Sequence, residues 1–339
     1  MTGFKTIAPN GRGPTRRGVL KGAAAAGLLL LDPRGAKSMT ANPARVAVVR
    51  TDDRPTGVQK AVDAWGRNPV QGKNVLIKPN FNTADPTPGS THNHTLAALI
   101  DKIRDMGARS VTLGERSFPV TERVMKDKGV YELCRERDVR IINFDDLPES
   151  DWVKIDAPDG HWPDGFRVAR PILEAECLVY TCCLKTHQYG GVFTMSLKLS
   201  VGNVPTTRHG FPYMDQLHSS PHQRKMIAEI NAPYQPDLIV LDGVEAFVDG
   251  GPMTGRREKA DLFLAADDRV AMDAVGVAAL KHLGSNDAIM NTPIFEQDQI
   301  ARAAELELGA GSASEIELVG PDEASRSYAS RLREVLDRG

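Results

Sequence analysis

From Leu178 to Leu184 the chain reads LVYTCCL, an apolar run with no polar alternation, and it stops at Lys185-Thr186-His187. A run of this length and pattern is a strand buried on both faces, which requires a sheet covered by helices on either side. Gly190-Gly191 follows and allows a sharp turn, after which Val192 to Val201 reads as a short helix ending at Gly202. Ligands of open parallel sheets bind outside the carboxyl ends of the strands, and a helix start behind a Gly-Gly turn favours anions. Lys185, His187, Ser196 and Lys198 are therefore the first candidate site residues. Taken singly, each lysine is as well explained as a solvated charge and His187 as a capped loop histidine. Their concentration around one strand end sets them apart.

The rest of the chain alternates strand and helix. Strands are predicted at Arg45–Arg50, Asn74–Lys78, Ser110–Leu113, Val139–Phe144, Asp237–Leu241, Asp261–Ala266 and Glu315–Val319. Helices are expected at Val58–Trp65, Leu96–Met106, Tyr131–Arg137, His222–Ala232, Val270–Leu283 and Glu323–Leu336. The Pro- and Gly-rich stretch from Asp151 to Arg170 reads as a two-strand excursion, and Pro205 to Pro221 as a long loop over the strand ends, carrying His209 and His218. This order predicts an α/β fold with a mostly parallel sheet, helices on both faces and a Rossmann-like open crevice. Strands ending at Lys78, Leu113, Leu184 and Leu241 should be parallel neighbours. Asn80, Glu115, His187 and Asp242 would then open onto that crevice. A second Gly-rich turn, Gly250-Gly251-Pro252, and Asp268 at the start of a helix complete the candidates, with Asp273 inside that helix among Ala271, Ala274 and Gly276.

Charge demotes nucleic acid and anionic membranes as partners. Forty-two basic and forty-four acidic residues leave a net charge of −2, with no footprint for nucleic acid. The four cysteines, Cys134, Cys177, Cys182 and Cys183, lack the paired spacing of zinc or iron-sulfur sites, so buried thiols are expected. Adjacent Cys182 and Cys183 point to opposite faces of a strand, which argues against a bridge between them.

Residues 1 to about 40 carry Arg16-Arg17 and an apolar segment from Gly22 to Leu31, followed by small residues at Ala36, Ser38 and Ala41. This resembles a twin-arginine export signal, with Val19 where the common pattern has Phe. The resemblance implies the twin-arginine translocase and signal peptidase as partners, a periplasmic or extracellular location, and export in the folded state, often with a cofactor already inserted. The apolar segment is about half of the roughly 20 residues a membrane-spanning helix needs, so no permanent span is expected.

Six blocks in order, VLIKPNFN (75–82), KTH (185–187), SLKLSVGN (196–203), PDLIVLDG (236–243), GGPMTG (250–255) and ADDRVAMDAVG (266–276), resemble the domain-of-unknown-function family 362. The resemblance spans about residues 45–310 as one α/β domain, with 311–339 adding a C-terminal strand and helix. Some members of that family carry a ferredoxin-type cassette; the cysteine series it needs is absent from this chain, and no iron-sulfur cofactor is implied.

A weaker similarity is to the catalytic domain of nickel-pincer lactate racemases, through His187, Gly190-Gly191, Lys198, Gly202 and His209 or His218. It implies that Lys198 anchors a cofactor or anion and that His187 with His209 or His218 binds a transition metal or exchanges protons. On this reading the catalytic candidates are Lys185, His187, Lys198 and Asp242. The binding candidates are Lys78, Asn80, Gly190, Gly191, Ser196, Gly250, Gly251 and Asp268, and the metal candidates are His187, His209 and His218. The inventory contains acids, bases and anion donors without a Ser-His-Asp or paired-carboxylate signature. Two functions fit it: an exported enzyme acting on a small anionic ligand, of unknown reaction, and a non-catalytic periplasmic protein that holds a metal or cofactor or assists maturation.

Overall fold

The computed structural model describes residues 43–339 together with a two-residue strand, β1 (Leu29–Leu30). The export reading of residues 1–40 otherwise lies outside the described residues. The main sheet is built from β2 (Ala44–Arg50), β3 (Asn74–Lys78), β4 (Ser110–Glu115), β5 (Arg140–Asn143), β8 (Cys177–His187), β9 (Val192–Thr194), β10 (Leu238–Gly250), β11 (Gly255–Ala266) and β12 (Ile316–Val319). Their order is β12-β2-β11-β10-β8-β3-β4-β5, with β9 paired to β8. The block β10-β8-β3-β4-β5 is parallel throughout. The strands predicted to end at Lys78, Leu113, Leu184 and Leu241 are therefore contiguous parallel neighbours. Only β11 and the short β9 run against their neighbours.

Side-chain alternation divides the core in two. Val46, Val48, Leu178, Tyr180, Cys182 and Leu184 pack into one layer. Ala47, Val49, Cys177 and Val179 pack into the other, as a period of two demands when both faces are covered. The second face is covered by α1 (Arg54–Trp65), α2 (Asn93–Asp105), α3 (Thr121–Asp127) and α4 (Val130–Glu136). The first is covered by α6 (Ser196–Leu199), α8 (Gln223–Ile230), α9 (Arg269–His282), α10 (Asp287–Met290), α11 (Asp298–Glu305) and α12 (Glu323–Arg338). The excursion forms β6 (Trp152–Asp156) and β7 (Phe166–Ala169), antiparallel in a separate small sheet with β1, followed by the short helix α5 (Arg170–Leu173). All four cysteines are free and buried. Among the described residues no helix is long and apolar enough to cross a membrane.

Three local expectations are corrected. Residues 192–201 are not one helix: Val192–Thr194 folds back on β8 as β9, pairing Lys185 with Thr194, and the helix starts only at Ser196. The β-branched, aromatic Val-Phe-Thr segment suits a hairpin strand better than a helix. Residues 205–221 contain helix α7 (Tyr213–Ser219) and a 3₁₀ turn at Thr207–His209 rather than a plain loop. β10 and β11 run past Gly243 and back before Asp261, because a register shift between Gly243 and Glu245 absorbs the irregularity and the ladder continues to the Gly250–Gly255 turn.

Candidate functional site at the strand ends

The carboxyl edge of the parallel block gathers most of the candidates, and the pleat then sorts them into three groups. On the α9 side of β3, Lys78 and Glu115 form an ion pair with each side chain 1% exposed. Glu115 also accepts backbone N–H bonds from Phe81 (2.8 Å) and Arg116 (2.8 Å), and the Lys78 ammonium donates to the Pro79 carbonyl at 2.9 Å. Burial pushes the lysine pKa down and the glutamate pKa up, each opposed by the other's charge. Gly202 closes this pair: a Cβ there would lie 2.9 Å from Lys78 Nζ and 3.0 Å from Glu115 Oε1. Lys78 is thus committed to Glu115 and Pro79 within the fold.

Asp242 is committed on the opposite face. It accepts from Arg54 Nε at 2.9 Å, from the Thr95 hydroxyl at 2.5 Å and from the Val244 amide at 3.1 Å, which ties β10 to the starts of α1 and α2. Asp268 caps α9 as expected, accepting from the Val270 and Ala271 amides, and it also receives the Ala310 amide. Because β11 runs antiparallel, its last residue Ala266 pairs with Ile239 near the start of β10, so Asp268 lies at the edge of the sheet away from the crevice.

The third group is different. Lys185 is fully buried, and its ammonium donates to the Gly89 carbonyl with no carboxylate partner among the described residues. His187 is 8% exposed, and its Nδ1 is buried without a hydrogen-bond partner. Gly191 packs between His187 and the half-buried Lys198: a Cβ on it would lie 2.7 Å from Lys198 Cε and 2.9 Å from His187 Nδ1. The turn therefore brings the helix-borne ammonium to the imidazole. Burial, reinforced by the charges of Lys185 and Arg116, pulls the Lys198 pKa down to about 7. His187 is held neutral by burial and then by Lys198, Lys185 and His218. Around them the buried Thr194 hydroxyl, opposite Lys185 on the hairpin, and the Asn80 amide Nδ2 also lack partners.

Several binding candidates prove to be structural. The start of α6 is already filled by an anion of the chain itself: Asp273 accepts from the Ser196 amide at 2.7 Å and the Leu197 amide at 3.1 Å. That buried carboxyl has its pKa raised to about 7 by desolvation, against the backbone hydrogen bonds that lower it. Ser196 is accordingly sealed inside, with its hydroxyl unpartnered. Gly190 (φ +76°) makes the turn, and Gly251 (φ +68°) lets the β10–β11 hairpin lie against β8, where a Cβ would meet the Thr186 carbonyl at 2.1 Å.

The metal candidates do not converge. His209 Nδ1 accepts the Thr206 amide at 3.1 Å, while its ring packs on Trp152 and its Nε2 lies 3.8 Å from Asp145. His218 bonds the Met214 carbonyl through Nδ1 at 2.7 Å on an exposed face of α7. Among the described residues no group of three or more His, Cys, Asp or Glu side chains is placed to hold a metal ion. One orphan imidazole nitrogen flanked by two ammonium groups is a poor donor set for a divalent cation, because the lysine charges oppose it and, among the described residues, no carboxylate forms an ion pair with either.

Arg116 is a part of this edge to which the sequence reading assigned no role, whereas Asp273, noted there on its helix face, is the carboxylate that accepts from the Ser196 and Leu197 amides. Arg116, buried beside Glu115, donates to the Val201 carbonyl and holds the Ser200–Asn203 turn over the Lys78–Glu115 pair. Its position directly after a strand end was a usable signal. For Asp273 the signal was a carboxylate on a small-residue helix face. A depression of about 670 Å³ lies at the other end of the sheet, where β3, β4 and β5 begin, and contains none of these groups.

A thylakoid-associated protein of Synechocystis sp. (strain ATCC 27184 / PCC 6803 / Kazusa), sll1697, is 26% identical over 207 residues, which make up 60% of this chain and 62% of that protein. The chain thus spans less than two thirds of that relative. The lactate racemase apoprotein from Thermoanaerobacterium thermosaccharolyticum is 18% identical, with a TM-score of 0.39, over 59% of this chain and 50% of the enzyme, a likeness too slight to bear on the chemistry. The family described as a domain of unknown function, DUF362, matches residues 75–278. That span runs from β3 into α9 and takes in the ion pair, the unpaired lysines and the carboxylate that caps α6, and on this match over more than half of its length the chain belongs to the DUF362 family.

Proposed function

We propose that the strand-end crevice binds a small carboxylate or phosphate between Lys185 and Lys198, and that His187 and Lys198 exchange a proton with it. The observation that carries this reading is a pair of interior ammonium groups without a carboxylate partner, set around a neutral imidazole whose Nδ1 is unsatisfied. Unpaired buried charge is expensive, and a ligand anion would relieve the cost while satisfying the orphan donors. A lysine brought down to about 7 is also matched to proton transfer near neutral pH. The protein is read as an exported enzyme, with Arg16-Arg17 as the translocase recognition pair and release by signal peptidase into the periplasm or beyond. Residues 45–310 form its α/β domain, and 311–339 its C-terminal extension.

The test is native purification followed by intact mass, and calorimetric titration of acetate and of inorganic phosphate into the full chain and into Lys198→Met and His187→Ala. Loss of a charge-assisted contact worth about 1.5–3 kcal/mol should weaken anion binding by roughly ten- to a hundredfold in Lys198→Met. Unchanged affinity in both folded variants would eliminate the site. For export, the Arg16→Lys/Arg17→Lys double variant should stay in the cytoplasm with its signal uncleaved; normal periplasmic accumulation would refute that part. A second reading, a non-catalytic binding or maturation protein, is favoured by Phe118 (74% exposed) after β4 and Tyr189 (53% exposed) after β8. These are apolar groups at the same edge, suited to a partner surface.

A further inference from the structure

A second basic concavity opens beyond β11, separate from the strand-end crevice, with a volume of about 340 Å³. Four elements meet there: the end of β2 brings Arg50, β11 brings Lys259, the last residue of α9 is His282, and α12 passes with Tyr328 and Arg331. Four basic side chains converge from positions far apart in the chain, so the clustering is a product of the fold. Asp261, beside the cavity, is held by Arg50 at 3.1 Å. Lys259 and Arg331 are both exposed, and among the described residues their side chains make no ion pair or hydrogen bond.

The floor supplies an independent observation. Tyr328 is 5% exposed, and its hydroxyl is buried with no hydrogen-bond partner. Its ring is fixed by the Arg50 guanidinium 4.7 Å above the centroid and by the His282 ring at 5.6 Å, edge to face. Burial pushes the phenol pKa up, so the group keeps its proton and remains a donor. A buried O–H without an acceptor, in a cavity also lined by Lys259 and Arg331, is complementary to an oxyanion.

We propose that this concavity is an oxyanion site that takes a phosphate group, with Lys259 and Arg331 as charge partners and the Tyr328 hydroxyl as the positioning donor. The phosphate is either free or the terminal group of a small phosphate monoester. Inorganic phosphate and glycerol phosphate are each titrated by calorimetry into the full chain carrying Lys198→Met, so that the strand-end crevice does not contribute. The same titrations are repeated after adding Lys259→Gln/Arg331→Gln or Tyr328→Phe.

Saturable binding is expected, weakened about tenfold or more by the double substitution. Tighter binding of the monoester would place the site on a larger phosphorylated molecule, and equal binding would identify free phosphate. Tyr328→Phe should weaken binding while leaving the thermal midpoint unchanged or higher, since the hydroxyl has no internal partner to lose. A merely structural tyrosine would show the reverse. Equal binding with and without the double substitution, or no binding of either probe at millimolar concentration, would overturn the proposal.

Discussion

Lys78 ends β3 and Lys185 lies two residues before the end of the adjacent parallel strand β8; both are buried, and both have their pKa pulled down by desolvation. One ammonium meets a carboxylate that is itself held by two backbone amides; the other meets a single carbonyl. Lys198, reaching the same edge from α6, meets nothing among the described residues and sits against the unsatisfied imidazole of His187. The contrast separates two uses of buried charge. A pair whose lone pairs and protons are all answered is a structural clamp, here pinning the Ser200–Asn203 turn through Gly202. A group left without a charge partner in the interior is held in place by the surrounding fold at a cost in stability, and groups of this kind cluster at functional sites.

The largest effect that would test this division comes from breaking the clamp. Lys78→Met strands a buried carboxylate and should lower the unfolding free energy by about 3–5 kcal/mol, whereas Lys198→Met should leave it unchanged or raise it. Denaturant unfolding of the two variants side by side measures this. A large loss in Lys198→Met and none in Lys78→Met would reverse the assignment.

Next in size is a pH effect. The Lys198 pKa falls from 10.5 in the unfolded chain to about 7 in the folded protein. Between those values the unfolded state binds more protons, so this group makes stability rise with pH across the window, and its destabilising charge is fully present below about pH 7. The difference in unfolding free energy between wild type and Lys198→Met should therefore shrink or change sign as pH rises from 7 to 10. Anion affinity should fall over the same range as the ammonium deprotonates. A pH-independent difference would mean that Lys198 is solvated and unshifted.

The smallest effect sharpens the geometry. Gly191→Ala adds a methyl group where Lys198 Cε and His187 Nδ1 approach within 3 Å of the ideal Cβ position, and the Gly191 backbone does not itself require glycine. The lysine stem can swing aside, so stability should change by about 1 kcal/mol or less. Anion affinity should drop severalfold in calorimetry, because the two groups are forced apart. Retained affinity would show that their proximity is incidental.

Local pattern carried much of this protein. The unbroken apolar run at Leu178–Leu184 and the strand-helix alternation determine a doubly covered, mostly parallel sheet, because a strand without a polar face has nowhere to lie except between two layers. Asp268 as a helix cap was readable for the same reason: the interaction spans only two or three residues. The grouping of polar residues at the strand ends was readable too, since parallel strands place their carboxyl ends together.

What those residues do was decided by partners distant in the chain. Nothing near Lys78 indicates that Glu115 will neutralise it, nothing near Ser196 that Asp273 will occupy its amides, and nothing near Asp242 that Arg54 and Thr95 will claim it. Asp268 left the crevice because β11 turned antiparallel, a choice made by the β10–β11 hairpin and its register shift. The sequence by itself determined which polar groups would reach the edge of the sheet. Only the tertiary structure decided which of them would be paired there, because pairing depends on through-space distances of a few ångströms between segments tens of residues apart, to which periodicity and propensity are blind.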